Sequence, residues 1–251
     1  MKNKRYIYII VFLFVSISLF FIFYGIDIIK DYNKDEILIV SDNIFRKYKS
    51  KWFKIRNIKS MNWKKFHIYV NNDYYGDKYL YYNEKWYIFE KNKKALTYSG
   101  DILAFSADYK VFKFNEVNKS SDENIKKVLK ENKSEEVGIE DSYYIDVDID
   151  GDNSLERIYV VTNRFSEKLD SGKFFSYVFL LKNNKITYIY KESSKDNNSY
   201  SGCKPYVNNI IDVDEDGKYE VILACSYYSY SGTKYNLYKY DKGKFNILVS
   251  N

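Results

Sequence analysis

Two short acidic runs carry the strongest chemical signal in this sequence. The first, DIDGDNSLE, covers residues 148–156, and the second, DVDEDGKYE, covers residues 212–220. Acids fall at relative positions 1, 3, 5 and 9 of each: Asp148, Asp150, Asp152 and Glu156, then Asp212, Asp214, Asp216 and Glu220. Alternate residues of a tight loop can turn their carboxylates to one side, and Ca2+ takes about six to eight oxygens in a flexible shell. A backbone carbonyl near position 7, from Ser154 or Lys218, would add a ligand, and the acid at position 9 would close the shell. Carboxylates crowded together without a cation repel one another. The pattern therefore predicts two structural calcium loops, in which the ion raises stability by binding only the folded chain. The plainer alternative is a pair of solvated, Asp-rich turns between strands.

The loops need strands to hold them, and the sequence supplies these in parallel sets. RIYVVT, FSYVFLLK and ITYIY follow the first run; VILAC, KYNLYKY and FNILV follow the second. The polar turns NNK and DKGK separate the last two strands of each set. An EF-hand loop would need Gly at its sixth position and Glu at its twelfth. Counting from Asp146 gives Gly151 and then Arg157, and counting from Asp212 gives Gly217 and then Leu223, so neither run fits. Acids at positions 1, 3, 5 and 9 followed by a strand instead resemble the calcium loops of FG-GAP or VCBS-type repeats. These occur in integrin-alpha-like β-propellers and in many bacterial surface proteins. The resemblance covers residues 146–251, under half the chain, and implies propeller-like β repeats with bound Ca2+. Asn153 stands at a sixth position where Gly is usual, and Glu215 at a fourth.

At the other end, residues 6–26 read YIYIIVFLFVSISLFFIFYGI, without a charge and long enough to cross a hydrocarbon core. Lys2, Lys4 and Arg5 precede this stretch, and Asp27, Asp31, Asp35 and Glu36 follow it. That asymmetry predicts a single-pass anchor with a cytoplasmic N-terminus, residues 1–5, and an extracytoplasmic remainder. A cleaved signal peptide is the alternative, but the run ends in Phe and Tyr rather than in small residues. Between anchor and repeats, the expected divisions are a basic juxtamembrane segment at 27–64 and a β-rich region with one short helix at 65–138. Two repeats then fill 139–251. The expected fold class is mainly β after the transmembrane helix.

Residues 43–72 contain no acid but nine Lys and Arg side chains, all between Arg46 and Lys65. Apolar residues at Ile44, Phe45, Tyr48, Trp52, Phe53 and Ile55 give residues 41–58 a loosely helical spacing. A basic, aromatic surface at 46–65 suits an anionic lipid or wall polymer; the plainer reading is a solvated lysine-rich face. Nucleic acid is not expected in that compartment. From residue 65 onward, short apolar runs at 66–70, 79–82, 86–89, 102–105 and 111–114 alternate with polar turns, which is hairpin spacing. Ser120 and Glu123 form a capping box before a helix whose apolar stripe is Ile125, Val128 and Leu129.

Of the remaining chemistry, Cys203 and Cys225 are the only cysteines, either bonded to each other or left as two unpaired, partly buried thiols. His67 is the only histidine, and no G-x-S-x-G, HExxH or P-loop pattern occurs. An enzyme is therefore not expected. The expected role is a membrane-anchored, extracytoplasmic binding or structural module with an envelope protein or glycan as ligand. A regulatory or sensory subunit of a membrane complex and a wall-acting hydrolase are the alternatives. The excess of Lys, Asn, Ile and Tyr fits a bacterium with an AT-rich genome.

Overall fold

The computed structural model describes residues 36–48, 51–55, 64–70, 73–83, 85–89, 96–97, 102–118, 122–135, 138–163, 174–194, 202–227 and 232–250. The apolar stretch at 6–26 lies outside these residues. No helix among the described residues is long and apolar enough to cross a membrane. Among the described residues the fold is mainly β, with three antiparallel sheets and one short helix.

The first sheet has eight strands: β1 (Glu36–Val40), β2 (Asn43–Tyr48), β3 (Lys51–Ile55), β4 (Lys64–Val70), β5 (Asp73–Asn83), β6 (Lys85–Phe89), β7 (Leu96–Thr97) and β8 (Ile102–Phe105). Their spatial order is β3-β2-β1-β8-β4-β5-β6-β7, so the late strand β8 joins two hairpin-built halves. The uninterrupted apolar runs ILIV in β1 and ILAF in β8 explain that central place, because both faces of these strands are buried. Ile37, Ile39, Phe66, Ile68 and Ala104 fill one core, while Leu38, Val40, Leu103 and Phe105 fill another.

The described residues within 41–58 do not form the helix that their spacing suggested; residues 43–48 and 51–55 are the paired strands β2 and β3. The adjacent Ile44 and Phe45 are both buried but belong to different cores, an arrangement that a strand allows and a one-faced helix does not. Pairing with β1 supplies the ladder. The described basic strands β2 and β3 thus lie in the same sheet as β4–β8.

The two C-terminal sheets are four-stranded meanders built alike. One contains β11 (Asp141–Val147), β12 (Glu156–Thr162), β13 (Phe174–Lys182) and β14 (Lys185–Ser194). The other contains β15 (Cys203–Asp212), β16 (Glu220–Tyr227), β17 (Thr233–Asp241) and β18 (Lys244–Ser250). Each gains a fifth, edge strand from the segment before the helix. β9 (Lys110–Val111) pairs with β15, and β10 (Val117–Asn118) pairs with β11. The second repeat is the middle layer. On one side Ile211, Val213, Ile222 and Leu237 pack against Leu38, Phe45 and Phe105 of the eight-stranded sheet. On the other, Val207, Ile210, Val221 and Leu223 pack against Ile145, Val147, Ile158 and Val178 of the first repeat. Burying each such side chain contributes about 1.5–3 kcal/mol.

The helix α1 (Glu123–Glu131) covers the outer face of the first repeat through Ile125, Val128 and Leu129, against Tyr159, Phe175 and Phe179. Its cap is Asp122 rather than Ser120. Asp122 Oδ1 accepts from the Asn124 N–H at 2.8 Å, and Oδ2 accepts from the Tyr159 hydroxyl at 3.2 Å. A carboxylate at the N-cap satisfies an open amide and faces the positive end of the helix dipole.

Cys203 and Cys225 form a disulfide between β15 and β16, with Cα atoms 5.3 Å apart. Both residues are buried at the middle sheet. Cross-linking residues at a sequence separation of 22 removes unfolded-state freedom worth about 3 kcal/mol. Melting of the full chain should therefore fall by about 5–10 °C in reductant. Two free thiols titrating in denaturant without reductant would show that the bond does not form.

Candidate metal centre

Both acidic runs fold as the turn between the first two strands of a repeat, and their backbones match. The first acid stands at the end of the incoming strand, and the ninth residue, Glu156 or Glu220, opens the outgoing one. Positions 4 and 6 are left-handed in both loops: Gly151 (φ 73°) and Asn153 (φ 66°), then Glu215 (φ 59°) and Gly217 (φ 80°). Asn accepts this conformation at small cost; Glu215 carries more strain there. Position 2 points the opposite way from the acids, and Ile149 and Val213 are fully buried in the cores beneath.

Hydrogen bonds then fix each loop. Glu156 Oε2 accepts from the Ile149 N–H at 3.0 Å, and Glu220 Oε2 accepts from the Val213 N–H at 3.0 Å. The ninth acid therefore clamps the second residue in both copies. Asp148 takes the amides of Asp152 (3.0 Å) and Asn153 (2.8 Å), while Asp212 Oδ2 takes the amide of Gly217 (3.1 Å). Ser154 and Lys218, expected to offer carbonyls, enter this network through their N–H groups, which donate to Asp152 Oδ1 and Asp216 Oδ1.

Two groups bring carboxylate oxygens within 4.8 Å of one another: Asp148, Asp150 and Glu156, and Asp212, Asp214 and Glu220. Either triad could hold a metal ion, and the donor set is oxygen only, which suits a hard cation such as Ca2+ or Mg2+. Asp152 and Asp216 complete the surroundings without entering these triads. Asp146, outside the loop, accepts from Arg157 Nε at 2.7 Å. His67 is not among the residues of either group. It lies on the eight-stranded sheet between Asp77 (2.6 Å) and Asp108 (3.0 Å).

Two residues that the sequence did not mark complete the centres. Lys182 Nζ lies 2.8 Å from both oxygens of Asp150, 2.7 Å from Asp152 Oδ2 and 2.8 Å from Glu156 Oε1. Lys239 Nζ donates to Asp214 and to Asp216 Oδ2 (2.9 Å), and stands 3.3 Å from Glu220 Oε1. The register makes the lysines equivalent. Glu220 pairs with Lys239, and one step beyond the Arg157–Leu181 pair sets Glu156 beside Lys182. They lie 26 and 19 residues past those glutamates (156 to 182, 220 to 239), so only strand pairing brings out their equivalence.

The electrostatics follow. The Lys182 hydrogen bond holds the Asp152 carboxyl below its usual range. Burial alone would lower the Lys182 ammonium, but its bonds to Asp150, Asp152 and Glu156 raise it instead. Burial pushes the Glu220 carboxyl up to about 7, against the opposing pull of the Val213 N–H and Lys239.

The loops also touch each other. The Tyr219 N–H donates to the Ile149 carbonyl at 3.0 Å, and Lys47 Nζ of the eight-stranded sheet donates to the Val213 carbonyl at 3.1 Å. A Cβ on Gly151 would lie 2.7 Å from the Gly217 carbonyl oxygen, whereas one on Gly217 meets nothing within 4 Å. Gly151→Ala should therefore cost about 2–4 kcal/mol, and Gly217→Ala only the left-handed penalty of about 1–2 kcal/mol. Equal losses on thermal unfolding would show that the loops do not pack together. Comparison with protein-family models, with curated proteins and with solved structures finds no match to this chain.

Proposed function

We propose that this chain is a membrane-anchored, extracytoplasmic binding or structural module of the bacterial cell envelope, with propeller-like β repeats tied by calcium. The observation that carries the reading is the second acidic loop, where Asp212 Oδ1 is buried and accepts no hydrogen bond, and Glu220 Oε1, also buried, has only the Lys239 ammonium 3.3 Å away and outside hydrogen-bond geometry. Buried carboxylate oxygens without a donor call for a cation. An ion there would join the end of β15 to the start of β16 and, through the Tyr219–Ile149 bond, steady one repeat against the other. The role is holding rather than turnover, because the same acids use their other oxygens to clamp loop amides. The repeated meander, with an acidic loop at the same place in each copy, supports the FG-GAP or VCBS resemblance.

Compartment and anchoring rest on the Cys203–Cys225 bond, which suits an oxidising environment, and on the apolar run at 6–26. For a ligand, the β2–β3 hairpin offers exposed Lys51 and Lys54 beside Phe53, which is 49% exposed. Arg46 lies over the Tyr48 ring at 5.7 Å. That mixture suits an anionic lipid or wall polymer.

Thermal unfolding of the full chain in detergent, with calcium and with chelator, tests the calcium reading. Calcium at about a hundred times its dissociation constant should add about 2.7 kcal/mol, or about 5–10 °C. Changing both Asp148 and Asp212 to Ala should abolish the shift. An unchanged melting temperature in the parent chain would reduce both loops to ordinary turns.

A further inference from the structure

The two loops share a backbone but satisfy their charges differently. In the first, every carboxylate oxygen has a partner. Asp148 is bonded to two amides, and Asp150 places both oxygens on Lys182. Asp152 and Glu156 each divide their oxygens between an amide and Lys182. The ammonium has three protons and four carboxylate oxygens within 2.8 Å, so it fills the centre as a metal ion would. In the second loop the lysine holds only two carboxylates by hydrogen bonds. It donates to Asp214 and Asp216, while its 3.3 Å approach to Glu220 Oε1 lacks hydrogen-bond geometry. Asp212 Oδ1 is left buried without any donor, and Glu220 Oε1 without a hydrogen bond, on residues 2% and 0% exposed. Both residues belong to the triad with Asp214.

We infer that the second loop alone takes a divalent cation, with Asp212, Asp214 and Glu220 as its carboxylate ligands, and that Lys182 is the resident cation of the first. The inference rests on the calcium reading above and divides the two loops within it. Metal entry at the second loop displaces Lys239, which gives up two hydrogen bonds there, to Asp214 and Asp216. At the first loop the same exchange would break four short contacts and leave the oxygens no better satisfied. Lys182 is thus a tethered ion, always present at high effective concentration and independent of the calcium supply.

The test is calcium stoichiometry on the full chain in detergent, by equilibrium dialysis after chelator treatment. One ion per chain is expected, weakened at least tenfold by Asp212→Asn and unaffected by Asp148→Asn. Lys182→Met, which keeps the apolar stem and removes the charge, should open the first loop and raise the count to two. Lys239→Met should tighten the single site about tenfold by removing its internal competitor. Two ions on the parent chain, or one ion lost in Asp148→Asn and kept in Asp212→Asn, would overturn this assignment while leaving the calcium reading intact. No ion on the parent chain or on either lysine variant would overturn both. Should Asp212→Asn fail to fold, the parent stoichiometry and Lys182→Met decide the matter.

Discussion

Three carboxylates bring oxygens within 4.8 Å of one another in each of the paired repeats, and a positive charge among them relieves their repulsion. Two unit charges about 4 Å apart interact by about 4 kcal/mol at an effective dielectric constant near 20. Uncompensated, that repulsion would rival the burial of a large apolar side chain. Each loop meets it with a lysine from the third strand of its own meander, while its backbone amides take up further carboxylate oxygens. The charge balance of a loop thus depends on strand pairing, and strand pairing depends on a loop that does not fly apart.

Position 2 links this electrostatic device to the core. Ile149 and Val213 are buried beneath their loops, and the ninth acid bonds the amide of that same residue. Apolar burial below and carboxylate convergence above are consequences of one alternation along the chain. Val213 belongs to the core shared with the eight-stranded sheet, and Ile149 to the core shared between the repeats. The Tyr219–Ile149 and Lys47–Val213 contacts cross the same two boundaries in the backbone. Whatever holds the second loop therefore bears on all three sheets.

The middle sheet is where covalent and packing constraints meet. It is covered on both faces and carries the disulfide between its first two strands. Its edge is extended by β9, drawn from a segment far earlier in the chain. The same segment supplies β10 to the first repeat, so the linker between the two halves of the molecule also stitches the repeats.

Features set by neighbouring residues were legible in the sequence. The acids at positions 1, 3, 5 and 9, the strands after each loop and the stripe Ile125, Val128 and Leu129 depend on local periodicity, which a sequence displays directly. The helical spacing of residues 41–58 misled because Ile44 and Phe45 serve two different cores, and a single apolar stripe cannot represent that. The helix cap is Asp122, whose carboxylate accepts from the nearby Asn124 amide and also from the Tyr159 hydroxyl, a distant partner that local spacing does not display. The cation positions of Lys182 and Lys239, the edge strands β9 and β10, and the bond between Cys203 and Cys225 all depend on long-range register. The sequence by itself determined that two loops would gather carboxylates, because alternation along a turn is a local property. Only the tertiary structure decided which loop satisfies its own charge, because that depends on where a lysine from another strand comes to rest.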